Sequence, residues 1–412
     1  MLPLEEARAR VLAAARPVGR EWLALPDALD RVLDDDLRAR HDQPPVAVSA
    51  MDGYAVRAAD TDPPGRWLRL VGESRAGGPE GPSVEPGTAV RIFTGAPLPA
   101  GADAIAIQEN AEVDGERVRF VRSSRPGEFV RPAGLDFSRG SLGLSAGTVL
   151  DPSALALAAA MGHAWIPVRR KPRVAILATG DELLWPGEPV VPGRVAASNS
   201  IGLAALVRRL GGVPLDLGIA PDSPECLVAA FGRLGAVDLI VTSGGASVGS
   251  YDLVRSALGR EGLLVDFWTV AMRPGKPLIF GRFRDVPLLG VPGNPVSALV
   301  CGLVFVRAVL LAMLGLPSEL PVEPLPVRRD LPANDQRADH LRARIVEAEG
   351  QRAVEPAERQ DSSMLATLAR ADALILRPPH APPVPAGTLV PCVPLERALR
   401  LGGPRHAAPL LP

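Results

Sequence analysis

Apolar positions along this chain change period several times. Leu4, Ala7, Val11 and Leu12 recur at helical spacing and predict an N-terminal helix, with a second helical stretch expected near residues 25–37. From residue 41 to about 140 the pattern shortens to alternating runs at 67–71, 89–93, 104–108 and 117–121. Pro/Gly clusters divide them, as in an all-β segment. Residues 151–162, DPSALALAAAMG, read as helix again. Residues 1–40 and 141–168 are therefore expected to form one split helical linker domain around an all-β insert, 41–140.

Beyond Lys171 the texture becomes α/β. Strand candidates at 173–178, 214–219, 237–242, 264–270 and 286–291 alternate with helix candidates at 200–210, 224–234, 251–259 and 295–314. Such alternation predicts a doubly wound, mainly parallel sheet over 169–317, with ligands beyond the carboxyl ends of its strands. Weak strands at 341–346, 373–376 and 389–393 predict a small β domain over 318–412. The 295–314 run is apolar enough to span a membrane, but a central Arg307 would cost about 2.5–3.5 kcal/mol there. A buried helix is expected.

The chain has 412 residues, 47% hydrophobic, with 45 basic against 46 acidic side chains. That balance argues against a nucleic-acid-coating or polybasic membrane surface. Cys226, Cys301 and Cys392 lie far apart, and the N-terminus lacks the charged and apolar regions of a signal peptide, so a cytoplasmic location is expected. Lysine occurs only at 171 and 276 in an arginine-rich chain, which suggests that Lys276 does something a planar guanidinium would not.

Thr242-Ser-Gly-Gly-Ala-Ser-Val-Gly249 follows a strand candidate and precedes a helix candidate. Backbone amides of such a loop converge on an anion, or the segment is an ordinary glycine-rich turn; it matches neither GxGxxG nor the P-loop. Asp252 is either a helix-dipole acid or a magnesium ligand. Asp222, Asp181 and Glu182 carry the same ambiguity, yet all follow carboxyl ends of one predicted sheet. Lys276 and Ser297, in RPGKP and GVPGNPVS, supply a charge and a donor suited to an oxyanion, or simply sit in proline turns. VSAMDGYAV at 48–56 reads first as an Asp-Gly hairpin. The five histidines show no ligand spacing, and no nucleophile–base arrangement can be proposed.

Together SAMDGYAV, RIFTGAPLP, ATGDELL, SNS, TSGGASVGSYD, MRPGKP and GVPGNPVSA occur in the order and approximate spacing of the molybdopterin molybdenumtransferase family, bacterial MoeA type. The chain also resembles the gephyrin C-terminal domain. The resemblance implies insertion of molybdenum from molybdate into adenylylated molybdopterin, with release of AMP and assistance by Mg2+. It also implies elongated homodimers with four domains per protomer, the last a β barrel. Transient contact with the molybdopterin adenylyltransferase and with molybdoenzyme maturation factors is expected.

Residue by residue, the resemblance places Glu182, Asp222 and Asp252 near nucleotide and metal. Lys276, Pro277 and Ser297 match molybdate-binding positions, completed by Arg337 and by Ser362 or Ser363. Asp52, Thr94 and Asp136 match positions contributed across the dimer. Ser243, Gly244, Gly245, Ser247 and Gly249, with Arg273 and Asn294, complete the expected cofactor-binding set. Arg273, Ser250 and Ala197 depart from the family's usual lysine, acid and aspartate. Two other readings are an adenylyltransferase-like enzyme, against which the extra N-terminal residues speak, and a non-catalytic cofactor-binding scaffold.

Overall fold

Near-continuous apolar runs build the central sheet. In the computed structural model, which describes residues 1–244, 255–348 and 350–402, Arg173–Thr179 lies between Val213–Ala220 and Leu239–Ser243 and runs parallel to both. Val286–Val291 extends the parallel set, and Pro277–Phe283 and Leu263–Thr269 complete six strands in antiparallel sense. Pro277–Phe283 is absent from the sequence expectation because Gly281 and Arg282 interrupt its apolar run. Gly281 is required there, since a Cβ would overlap the carbonyl of Leu264 on the neighbouring strand.

Alternate residues of Arg173–Thr179 serve opposite faces, as the two-residue period of a strand demands. Val174 and Ile176 pack with Leu203 and Val207 of helix Ser198–Arg209 and with the helical run from Pro295 to Met313. Ala175 and Leu177 pack with Leu227 and Phe231 of Pro224–Gly232 and with Leu258, in the helical residues 255–259. Within the expected helix 251–259, residues 251–254 lie outside those described. The Pro295–Met313 run is 89% buried inside the protein. Arg307 donates from Nε to the carbonyl of Ala398 (2.7 Å) and from Nη1 to that of Ser318 (3.0 Å), and burial pushes its pKa down to about 10. This is a core helix.

Residues 25–37 do not form the expected helix. Leu25–Asp27 is one 3-10 turn, and beyond it Val32 and Leu33 bridge to Val149 and Val168. Flanking it, Arg20–Ala24 pairs antiparallel with Trp165–Arg169, and Leu37–Arg38 with Leu142–Leu144. Pro26 and the run Asp34-Asp35-Asp36 oppose helix continuation, and cross-chain pairing prevails. The linker expected to be helical is thus largely β, with one helix, Pro152–Ala160, capped by Asp151. The N-terminal helix Leu4–Ala13 buries Ala7 and Val11 in the α/β core instead.

Residues 53–120 carry a second six-stranded sheet, ordered Ala104–Ile107, Gly53–Val56, Thr88–Ile92, Leu68–Ser74, Arg117–Phe120 and Ala111–Asp114. Val48–Ser49 pairs with Val130–Arg131 and not with Gly53–Val56, so VSAMDGYAV is no hairpin. Gly53 is there for clearance, because a Cβ would overlap the carbonyl of Ala106. In the C-terminal sheet Ala338–Ala348 pairs with Gln351–Pro356 and Ala373–Arg377, followed by Leu389–Pro394 and Glu323–Pro326.

Candidate active site

Three acids gather beyond the carboxyl ends of the parallel strands. Asp181 and Glu182 follow Arg173–Thr179, and Asp222 follows Val213–Ala220, the strand paired beside it. The amide of Asp222 donates to Oδ1 of Asp181 at 3.1 Å. Glu182 folds its carboxylate over Gly180, whose φ of +148° favours glycine. Burial, then the charges of Asp181 and Glu182, raise the pKa of Asp222. Among the described residues no basic side chain pairs with any of the three. No group of three or more His, Cys, Asp or Glu side chains is placed to hold a metal ion among those residues either. Carboxylate oxygens without a basic partner are the kind of ligand magnesium takes one or two of, completing its shell with phosphate oxygens and water.

The glycine-rich loop starts beside these acids. Ser243 ends its strand, and Gly244 adopts φ +94°, where a side chain would collide with the backbone of Thr179. Among the described residues the buried Thr179 hydroxyl has no hydrogen-bond partner. Gly245, Ser247, Gly249 and Asp252 lie outside the described residues. Asn199 donates from Nδ2 to Ser243 Oγ (2.9 Å) and to the carbonyl of Gly293 (2.7 Å), joining the loops after two adjacent parallel strands. Its role escapes sequence reasoning; only the SNS match signals it.

A second corner forms where the RPGKP turn meets helix Pro295–Cys301. Gly275 packs against Cys301, and Ser297 lies one helical turn before Cys301 on the same face. Ser297 is 5% exposed, and its hydroxyl has no hydrogen bond among the described residues. Ser362 reaches this corner from the C-terminal part of the chain. Its Oγ accepts from Asn294 Nδ2 at 2.8 Å, and its carbonyl accepts from the amide of Val296 at 3.1 Å.

The basic residues of this region divide sharply. Arg273 is committed to Asp339 through Nε (2.8 Å) and Nη2 (2.5 Å). Arg337 is forked onto Asp335, whose pKa falls to about 2 through its bonds with that guanidinium and amide. Ser363 turns back to Asp361 at 2.6 Å. Lys276 is exposed and has no ion pair among the described residues, which leaves its ammonium available for an oxyanion beside Pro277.

Asp52 and Thr94 meet in the β insert. The amide and hydroxyl of Thr94 both donate to Oδ1 of Asp52 at 2.7 Å, and these bonds lower the Asp52 pKa. Asp136 is exposed, with its amide on the carbonyl of Gln43. Among the described residues no hydrogen bond, ion pair or strand pairing joins residues 47–134 to residues 169–402. Among the described residues Asp52 and Thr94 form no bond with the acids of their own chain.

A doubly wound sheet with acids and a glycine-rich loop at its carboxyl ends, between a β insert and a C-terminal sheet, defines a multidomain protein of the molybdopterin-binding class. Three family models cover the chain in order: "MoeA N-terminal region (domain I and II)" over residues 2–162, "Probable molybdopterin binding domain" over 175–312, and "MoeA C-terminal region (domain IV)" over 324–395. Molybdopterin molybdenumtransferase 2 of Mycobacterium tuberculosis is 40% identical over 319 residues, covering 75% of this chain and 78% of that protein. The molybdopterin molybdenumtransferase of Bacillus subtilis is 34% identical over 388 residues, 92% and 90% of the two chains. The molybdopterin biosynthesis MoeA protein of Pyrococcus horikoshii superposes with a TM-score of 0.84 at 29% identity, covering 96% of this chain and 99% of that one. The chain belongs to the molybdopterin molybdenumtransferase (MoeA) family.

Proposed function

We propose that this chain transfers molybdenum from molybdate to adenylylated molybdopterin, cleaving the adenylate and releasing AMP. What supports this reading is that acids without a basic partner, Asp181, Glu182 and Asp222, follow the carboxyl ends of the sheet. Lys276, with no ion pair among the described residues, directly follows Gly275, which packs on the helix that carries Ser297 and is held by Ser362. A tetrahedral dianion suits the second corner, where Lys276 supplies charge and the serines supply hydroxyl donors. Molybdate held there beside the pterin dithiolene makes exchange of oxygen for sulfur ligands effectively intramolecular.

The acids suit the phosphate end. Glu182 and Asp222, with Asp252 from the same motif set, would hold Mg2+. Once bound, it would offset the charge that grows as the phosphoanhydride breaks. Amides of the glycine-rich loop would donate to the same oxygens. The protein contributes position and charge, with no covalent intermediate on a side chain.

The functional unit in this reading is a homodimer whose β insert lends Asp52, Thr94 and Asp136 to the partner's site, since no bond holds them at their own. The chain divides into residues 1–40 with 141–168, 41–140, 169–317 and 318–412. The last unit reads as a barrel because a Val327–Val354 bridge links the strands at its two ends. A cytoplasmic enzyme receiving its substrate from the molybdopterin adenylyltransferase and passing its product to molybdoenzyme maturation factors fits this chemistry.

Incubation of the protein with adenylylated molybdopterin, molybdate and magnesium should release AMP and yield a cofactor that activates an apo-molybdoenzyme. AMP release that ignores molybdate, or no release at all, overturns the assignment.

A further inference from the structure

We propose that Arg91 is a positioning residue for the Asp52–Thr94 pair, gripping the chain next to both members at once. The inference rests on the reading above that this pair serves the reaction. Arg91 lies on Thr88–Ile92, directly opposite Tyr54 in the sheet. Its Nη1 donates to the carbonyl of Gly53, the residue after Asp52, at 3.1 Å. Its Nη2 donates to Oε1 of Gln108 at 2.6 Å, and the amide of Gln108 holds the carbonyl of Asp52 at 3.2 Å.

The guanidinium charge also lies over two aromatic rings. Its central carbon is 4.9 Å from the centroid of Tyr54 and 5.1 Å from that of Phe93, the residue before Thr94. Arg91 therefore meets the neighbour of Asp52 through a hydrogen bond and the neighbour of Thr94 through a cation–π contact. Its charge also acts on the Asp52 carboxylate, adding to the Thr94 hydrogen bonds in favour of the ionised form. A guanidinium is suited to this because it stacks and forks together; an ammonium of equal charge does neither.

The contacts of Arg91 are with the neighbours of Asp52 and Thr94, so its part is to position that pair. Loss of the grip lets the pair drift from its place in the assembled site, and a displacement of about 1 Å can slow catalysis roughly 100-fold. Binding of molybdate and adenylate at the α/β corners is untouched.

The test compares Arg91→Met and Arg91→Lys with wild-type enzyme and with Thr94→Val, in the full-length dimer. We expect kcat to fall roughly 10- to 100-fold in Arg91→Met, and less in Arg91→Lys, while KM for both substrates stays within about twofold. Arg91→Met combined with Thr94→Val should be no more than about threefold below the worse single variant, because both damage one unit. A kcat near wild type, losses that multiply, or a loss confined to KM overturns the positioning role. Should Arg91→Met not fold, Arg91→Lys and Gln108→Ala carry the same comparison. Asp52→Asn separates the two layers. Full activity there removes the pair from the reaction and the inference with it, whereas an inactive Asp52→Asn beside an active Arg91→Met removes Arg91 alone.

Discussion

Asn294 and Ser362, 68 residues apart in sequence, meet through a 2.8 Å hydrogen bond from the amide nitrogen to the hydroxyl oxygen. The bond brings a serine from the C-terminal part of the chain to the first turn of the core helix, which also carries Ser297. Its neighbour Ser363 is occupied with Asp361.

Ser362→Ala should therefore raise KM for molybdate about tenfold, the size expected when a hydrogen bond to a charged ligand is lost. Ser363→Ala should change it little. Steady-state kinetics at varied molybdate would decide, and equal effects in the two variants would count against the assignment of Ser362.

Lys276→Arg preserves charge but replaces a compact ammonium with a broad planar group. We expect at least about tenfold loss in kcat/KM for molybdate, with the melting temperature unchanged because Lys276 is exposed and pairs with nothing described. Full activity would mean that the survival of a lysine here reflects codon usage and not chemistry.

Asp222→Asn should stabilise the metal-free protein while impairing AMP release. The Asp222 pKa is raised by burial and by Asp181 and Glu182, so the folded state holds this proton more tightly than the unfolded chain does. Stability then declines as pH rises from the ordinary carboxylate value through the raised one, and at neutral pH the ionised group opposes folding. Removing its charge should lift the melting temperature by roughly a degree at pH 7 and leave it unchanged at pH 3, where the wild-type group is already protonated. A lowered melting temperature at pH 7 would show that the acids are not in conflict.

How much of this was legible from sequence varies with the physics involved. The parallel strands were readable because strands buried on both faces are apolar without interruption, as in Arg173–Thr179. The antiparallel Pro277–Phe283 was not, since Arg282 faces outward and breaks the run. Residues 25–37 misled because their apolar spacing suits a helix, while the pairing that decides their fate comes from residues more than 100 positions away. The acids and Lys276 could be selected as candidates from motifs. That Arg273 is committed to Asp339, 66 residues away, was not legible, because ion pairing across separate elements leaves no local pattern; Arg337 instead pairs with Asp335 two residues before it.

Gly53 illustrates the same limit. In sequence it is half of an Asp-Gly turn, whereas in the fold it makes room for the carbonyl of Ala106 on the adjoining strand. Gly53→Ala should destabilise the protein by about 1–3 kcal/mol, as overpacking does, and lower activity through the adjacent Asp52. A denaturation midpoint equal to wild type would show that the two strands can move apart freely.

The location of Asp52 relative to Asp222 yields the most discriminating experiment. No bond ties the β insert to the α/β domain of its own chain among the described residues, and a twofold dimer would hold two composite sites, each with Asp52 from one protomer and Asp222 from the other. Asp52→Ala and Asp222→Ala proteins, each inactive, would be mixed, unfolded and refolded together. Random pairing makes about half of the dimers mixed, and each of these has one intact and one doubly damaged site. About a quarter of wild-type activity should return. If both residues serve the same chain, every site keeps one lesion in every pairing and activity stays at background. Mixed dimers confirmed by mass but inactive would therefore end the shared-site model.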